Sequence, residues 1–204
     1  MLPRLPRPLC DAGAGMNTYI DKLIPQVNIP EGVSGPWEVK RVGIKPSPAV
    51  FRERFFRPGV YTQLYRGRTL VMSDTPAERY DHAGFVRSAT GDVLISGLGL
   101  GMCLGAVLLK PEVTSVTVVE ISEDVIRLVA PSYPDPRVTI VHADTRDWRP
   151  PRGVRFGAVW HDIWDDICAD NRPEMTALNR RYARIADWKG CWSQDQIDRH
   201  RRAA

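Results

Sequence analysis

The feature that most constrains this chain is the run Ser96-Gly97-Leu98-Gly99-Leu100-Gly101, set between the apolar stretch Asp92-Val93-Leu94-Ile95 and a helix-forming stretch that opens at Met102. Glycine is needed where a backbone must turn sharply, or must approach another group without a Cβ in the way. A strand that ends in such a turn and feeds directly into a helix leaves the first N–H groups of that helix facing the space beyond the strand end. This geometry belongs to βαβ units, so the rest of the chain has to supply parallel strands and covering helices.

The chain meets that demand with buried-strand patterns at Asp92–Ser96, Ser115–Glu120, Arg137–His142 and Phe156–His161. Helices are expected at Met102–Leu109 and Ser122–Ala130, a connection of unclear period at Arg146–Gly153, and a last helix at Pro173–Asp187. Arg180 to Ala204 offers no convincing strand, so the sheet is expected to be truncated after its fourth strand. The exposed edge then needs a cover. A C-terminal helix with Trp188 and Trp192 is the favoured one and a homodimer the alternative.

Upstream, Trp37–Val42, Val60–Tyr65 and Thr69–Met72 read as short strands, with Arg66-Gly67-Arg68 as a hairpin connection. Thr75–Ala89 reads as a helix with Thr75 as N-cap, Pro76 in the first turn and Glu78 completing a capping box. The fold class is therefore α/β, a Rossmann-like sheet with a small N-terminal β-hairpin subdomain. Residues 1–15, rich in Pro and Gly, are expected to form a disordered leader, 16–75 the β subdomain, 76–190 the nucleoside-binding domain and 191–204 a basic tail.

Open α/β sheets bind ligands outside the carboxyl ends of their strands, so those ends name the candidate residues. The second strand ends in Glu120, nineteen residues after Gly101, where a carboxylate can accept both hydroxyls of a ribose. The dinucleotide fingerprint places its third glycine five positions after the first, which here is Met102. Gly97, Gly99 and Gly101 fit the G-x-G-x-G loop of adenosylmethionine-type sites better than an NAD loop. At the third strand end, Asp144 is a candidate to accept an adenine amino group, with the backbone beside Thr145 meeting a ring nitrogen. An Asp turn after a strand is the plain alternative there.

The fourth strand runs into Asp162, Asp165, Asp166 and Asp170, four Asp in nine residues. Asp162 and Asp165 can orient a cationic amine and take its proton, with Trp160 and Trp164 adding cation–π contact. Helix capping and solvation explain such acids otherwise. His161 and His82 are weaker candidates, and Phe51, Phe55, Phe56, Tyr61 and Tyr65 read as subdomain core.

Composition narrows the classes. Twenty-eight Lys and Arg against 24 Asp and Glu give a formal charge of +4, too modest to argue for nucleic acid, and Arg199-His200-Arg201-Arg202 reads as a solvated tail. Cys10, Cys103, Cys168 and Cys191 have no metal-ligand spacing and read as reduced thiols, and no metal is expected. No apolar run reaches the length of a membrane helix, so a soluble, cytoplasmic protein is the expectation.

From about Tyr61 to Asp170 the chain resembles the spermidine synthase-like branch of class I S-adenosylmethionine-dependent methyltransferase-fold proteins. The likeness rests on Leu70-Val71-Met72-Ser73-Asp74, Val93–Gly101, Val116–Ile121 with Asp124-Val125-Ile126, Arg137–Asp144 and Asp162-Ile163-Trp164-Asp165. It implies a cofactor site of Gly97, Gly99, Gly101, Glu120, Ile121, Asp144 and Thr145, holding S-adenosylmethionine or its decarboxylated form. It also implies a D-x-x-D pair in which Asp162 is the base and Asp165 its partner in binding a small amine. Leu100 stands where aminopropyltransferases carry Asp, which puts methyl transfer ahead of polyamine synthesis. A nucleoside-binding module without catalysis is the reading from a different class. A nucleic-acid methyltransferase is the third, opposed by the acidic mouth and by the lack of an Asn/Asp-Pro-Pro-aromatic signature.

Overall fold

The computed structural model describes residues 19–45 and 58–203, with side chains described up to residue 198. The proposed leader, Cys10, Phe51, Phe55 and Phe56 lie outside the described residues, as do the side chains of Arg199 to Arg202. The N-terminal part forms an antiparallel sheet of β1 (Gly32–Ser34), β2 (Trp37–Ile44), β3 (Gly59–Arg66) and β4 (Thr69–Ser73), in that order. Tight turns set its register. Gly67, at φ +60°, starts the two-residue loop from β3 to β4, and the β2–β3 pairing places Trp37 opposite Arg66 at one end of the sheet.

Helix α1 (Pro76–Ser88) then leads into the second sheet, built from β5 (Gly91–Ser96), β6 (Val113–Glu120), β7 (Val138–His142), β8 (Phe156–His161) and β9 (Ala186–Cys191). Every pair in it is parallel, and the order is β7-β6-β5-β8-β9. Counted along the chain this is 3-2-1-4-5, the strand order of a Rossmann-like sheet, with the switch point between β5 and β8. Helices α2 (Met102–Leu108) and α3 (Glu123–Val129) complete the first two crossovers; β7 reaches β8 without one, and α4 (Arg172–Tyr182) precedes β9.

Central position explains the composition of β5. Val93 and Ile95 face a core shared with α1, α2 and α3, whereas Leu94 faces the opposite side with Val119, Phe156, Val159 and Tyr182. A strand buried on both faces has no polar face to alternate with, so it reads as a continuous apolar run. The N-terminal sheet joins the first core through Val39 and Leu64. Asp74, 1% exposed, ties the N-terminal part together by accepting the N–H groups of Val27 (3.1 Å) and Thr62 (2.8 Å).

The C-terminal expectation needs correction. The last helix ends at Tyr182, and Ala186–Cys191 is a fifth parallel strand beside β8 rather than a helix end. Ala-Asp-Trp-Lys-Gly-Cys carries no β-branched residue and no clean alternation. Its strand state comes from pairing with β8 and from Trp188, which stacks on Trp160 at 6.0 Å between ring centroids. The edge of the sheet is thus β9 itself, with Trp188 in the sheet rather than in a covering helix. The stretch expected as a tail carries helix α5 (Gln194–Ala203). Among the described residues, no helix is long and apolar enough to cross a membrane.

Two glycine substitutions test this packing in opposite directions. A Cβ on Gly157 of β8 would overlap the backbone carbonyl of Thr90, while one on Gly43 of β2 meets nothing within 4 Å. Gly157→Ala is expected to lower stability by about 3 kcal/mol in urea unfolding. Gly43→Ala should be neutral or stabilising by up to about 0.5–1 kcal/mol.

Candidate functional site

A cleft of about 370 Å³ opens at the carboxyl ends of β5, β6, β7 and β8, with β4 and the end of β2 forming its outer wall. The glycine turn is its floor. Gly97, Gly99 and Gly101 all have positive φ, at +91°, +50° and +67°. A Cβ on Gly97 would overlap the backbone carbonyl oxygen of Asp162; on Gly99 it would meet Met72 Sδ, and on Gly101 the Tyr133 ring. The glycines therefore let three neighbouring segments close on the turn.

Glu120 fixes the turn from the second strand end. Its Oε2 accepts the Leu98 N–H at 2.7 Å and its Oε1 the Ser122 N–H at 2.8 Å. A carboxylate offers about four lone-pair sites, so two remain on the cleft side for hydroxyl donors. Ile121 beside it is 60% exposed, an apolar side chain on the lip of a polar cleft. Asp144 makes the turn after β7, accepting the Arg146 N–H at 2.8 Å and holding its guanidinium. Thr145 differs from a free contact residue, because its hydroxyl bonds Ser96 Oγ (2.8 Å), which in turn meets His161 Nδ1 (2.9 Å). Its backbone carbonyl accepts the Arg181 guanidinium at 2.8 Å, which leaves the N–H as the backbone group that the cleft can use. His161 lies in the core behind that chain, and burial pushes its pKa down to about 3, so it is a packed neutral residue and not a second base.

The other end of the cleft is acidic. Burial, reinforced by the carboxylates of Glu78, Asp81 and Glu120, pushes Asp162 up to about 8. Burial pushes Glu78 up to about 7, although the Ser73 N–H (2.7 Å) and Oγ–H (2.8 Å) both favour its charged form. His82 Nε2 lies 3.7 Å from Asp162 Oδ2, and burial holds His82 down to about 4. The contact is therefore between a neutral imidazole and a poorly ionised carboxyl, and it is not a salt bridge. His82 Nδ1 is buried without a partner among the described residues. Asp165 lines the same cleft as Asp162. It is half-exposed and paired with Arg66 of β3.

Two of these participants carried no clear signal in the sequence. Glu78 reads as a capping-box residue for Thr75, but its carboxylate reaches past the cap to Ser73, which turns it into the cleft. Glu78 and His82 are i,i+4 on α1, so a shared helix face was the available clue. Leu100, at the position that distinguishes aminopropyltransferases in the resemblance, is fully buried in the core and contributes nothing to the cleft wall.

No family model and no curated protein sequence matches this chain. Solved structures share part of its fold at low identity. N-methyltransferase NodS from Bradyrhizobium japonicum aligns over 55% of this chain and 64% of its own (14% identity, TM-score 0.43). Spermidine synthase from Thermotoga maritima aligns over 67% and 47% (20%, 0.39), and the 23S rRNA methyltransferase ErmE over 48% and 37% (19%, 0.38). The chain thus spans between 37% and 64% of the length of these three. The Rossmann-like assignment rests on the chain's own strand order.

The buried acids fix the sign of a pH effect. Asp162 and Glu78 hold protons in the folded state at pH values where the unfolded chain has released them, so stability falls as pH rises through their folded pKa values. His82 and His161 act in the opposite direction, but only below about 6.5. Between pH 6.5 and 8.5 the ligand-free protein is expected to lose on the order of 1 kcal/mol, followed by thermal unfolding. Asp162→Asn should flatten most of that slope.

Proposed function

We propose that this chain is an S-adenosylmethionine-dependent transferase that methylates a small amine. The observation that carries the reading is one continuous cleft lined both by a carboxylate with acceptor sites left for ribose hydroxyls, Glu120, and by a carboxyl that burial raises to about 8, Asp162. Gly97, Gly99 and Gly101 would cradle the nucleoside side, with Ile121 covering a base ring and Asp144 and the Thr145 backbone reading its edge. The bound cofactor would supply an electrophilic methyl group on a sulfonium centre.

What remains for the protein is to bind the amine and remove its proton. An ammonium has no lone pair to attack with. A general base works best with a pKa near the working pH, which is where burial and neighbouring acids have moved Asp162. Glu78 would hold the cationic form, and Asp162 would take its proton first, freeing the nitrogen lone pair whose new bond to carbon then replaces the sulfur–carbon bond. Asp165 would act from the rim, through Arg66. Aminopropyl transfer from the decarboxylated cofactor is the second reading, favoured by the N-terminal sheet reaching over the glycine turn through Met72, whose sulfur meets the Leu100 N–H at 3.3 Å.

Calorimetric titration with S-adenosylmethionine, its decarboxylated form, methylthioadenosine and NAD tests the cofactor. Saturable binding of a sulfonium ligand is expected, and the preferred form decides between methyl and aminopropyl transfer; binding of none of them would overturn the reading. Ile121→Asp, at a side chain exposed enough to leave the fold alone, should weaken binding about tenfold or more without moving the melting temperature of the free protein. Asp162→Asn should abolish turnover and leave nucleoside binding nearly unchanged. Unchanged turnover in that variant would remove Asp162 as the base.

A further inference from the structure

The carboxylates lining the cleft are Glu78, Glu120, Asp144, Asp162 and Asp165, and they are not equivalent. Arg66 sits on Asp165 and Arg146 on Asp144, while Glu120 grips the glycine turn. Among the described residues, this leaves Glu78 and Asp162 as the lining carboxylates that neither an arginine nor the turn engages. Both lie at the inner end. The outer wall, supplied by the N-terminal sheet, is apolar and aromatic, with Trp37, Leu70 and Met72 facing the cleft. Leu70 is half-exposed, and Trp37 carries the Arg66 guanidinium 5.5 Å from its ring centre.

We infer that the acceptor is a monoamine with an aromatic or bulky apolar body, its nitrogen between Glu78 and Asp162 and its body against Trp37, Leu70 and Met72. This rests on the transferase reading and deepens it. A diamine or polyamine needs a second anionic partner along the cleft for its far ammonium. The group placed to supply one is Asp165, and taking it would leave the Arg66 guanidinium unpaired beside the new cation. Attraction at the inner end combined with like-charge repulsion at the outer end discriminates more sharply than either alone. The apolar wall adds what a second ammonium cannot use, because covering a half-exposed leucine and a partly buried tryptophan is favourable for a ring and unfavourable for a hydrated charge.

The test is calorimetric titration of 2-phenylethylamine and 1,4-diaminobutane into the free protein and into protein saturated with S-adenosylhomocysteine. Phenylethylamine is expected to bind at least about tenfold tighter than diaminobutane to the wild type. Trp37→Ala should weaken phenylethylamine about tenfold and leave diaminobutane unchanged, and Arg66→Ala, which releases Asp165, should tighten diaminobutane. Diaminobutane binding as tightly as phenylethylamine, a Trp37→Ala variant with unaltered preference, or no amine binding in either form would each overturn the inference. Titration of S-adenosylhomocysteine alone reads the cofactor end separately. Amine preference without nucleoside binding would sink the transferase reading and keep the pocket, and the converse would do the reverse.

Discussion

The close approach of Gly97 to the Asp162 backbone is the contact on which the site depends. Gly97 N–H bonds the Val119 carbonyl at 2.8 Å, Asp162 N–H bonds the Ser96 carbonyl at 2.9 Å, and a Cβ at Gly97 would overlap the Asp162 carbonyl oxygen. Three strand ends are thereby drawn to one point, and Glu120 locks the arrangement by taking the Leu98 N–H. Residue 97 must adopt φ +91° and carry no side chain, so glycine alone satisfies both demands. The turn's glycines serve close packing of the backbone first, and that closeness leaves the Glu120 carboxylate and the Asp162 side chain lining the same opening.

Desolvation gives the inner end of the cleft its chemistry. Asp162 is surrounded by Glu78, Asp81 and Glu120 and faces a neutral His82, so its charged form has repulsion and little solvation. Burial raises Asp81 as well. A cluster of acids in this state stores unfavourable electrostatics that a bound cation relieves. The same group is thus a reluctant anion in the empty protein and a stable one beside an ammonium or a sulfonium. Acids shifted in this way occur more often at functional sites than elsewhere in a fold.

Much of this was legible in the sequence, and the remainder was hidden for identifiable reasons. The strand, turn and helix around Gly97–Gly101 could be read because local propensity and burial agree there, and β5 and β8 carry the continuous apolar runs of doubly covered strands. Strand β9 was illegible because Ala186–Cys191 draws its state from a neighbour far away in the chain and from one stacked tryptophan. The inward turn of Glu78 was hidden for a similar reason. Its spacing from Thr75 fits a capping box, and only the position of Ser73 at the end of β4 shows that the carboxylate goes elsewhere. The pairing of Asp165 with Arg66 could not be read from the D-x-x-D spacing, since the two residues lie 99 positions apart.

The division of labour between the two sheets bears on how such a site changes. The parallel sheet supplies Glu120, Asp144 and Asp162 from strand ends tied together by backbone bonds, so those groups are hard to move independently. Trp37, Arg66, Leu70 and Met72 come from the antiparallel sheet, whose register is set by the turns at Gly35 and Gly67. A one-residue slip in that register would send Trp37 to the opposite face and exchange the whole outer wall. Substitutions there would change that wall without moving the strand ends that carry Glu120, Asp144 and Asp162. On the proposed transferase reading the N-terminal sheet is the part in which acceptor preference would be set, and the Arg66–Asp165 pair is where the two parts meet at the cleft.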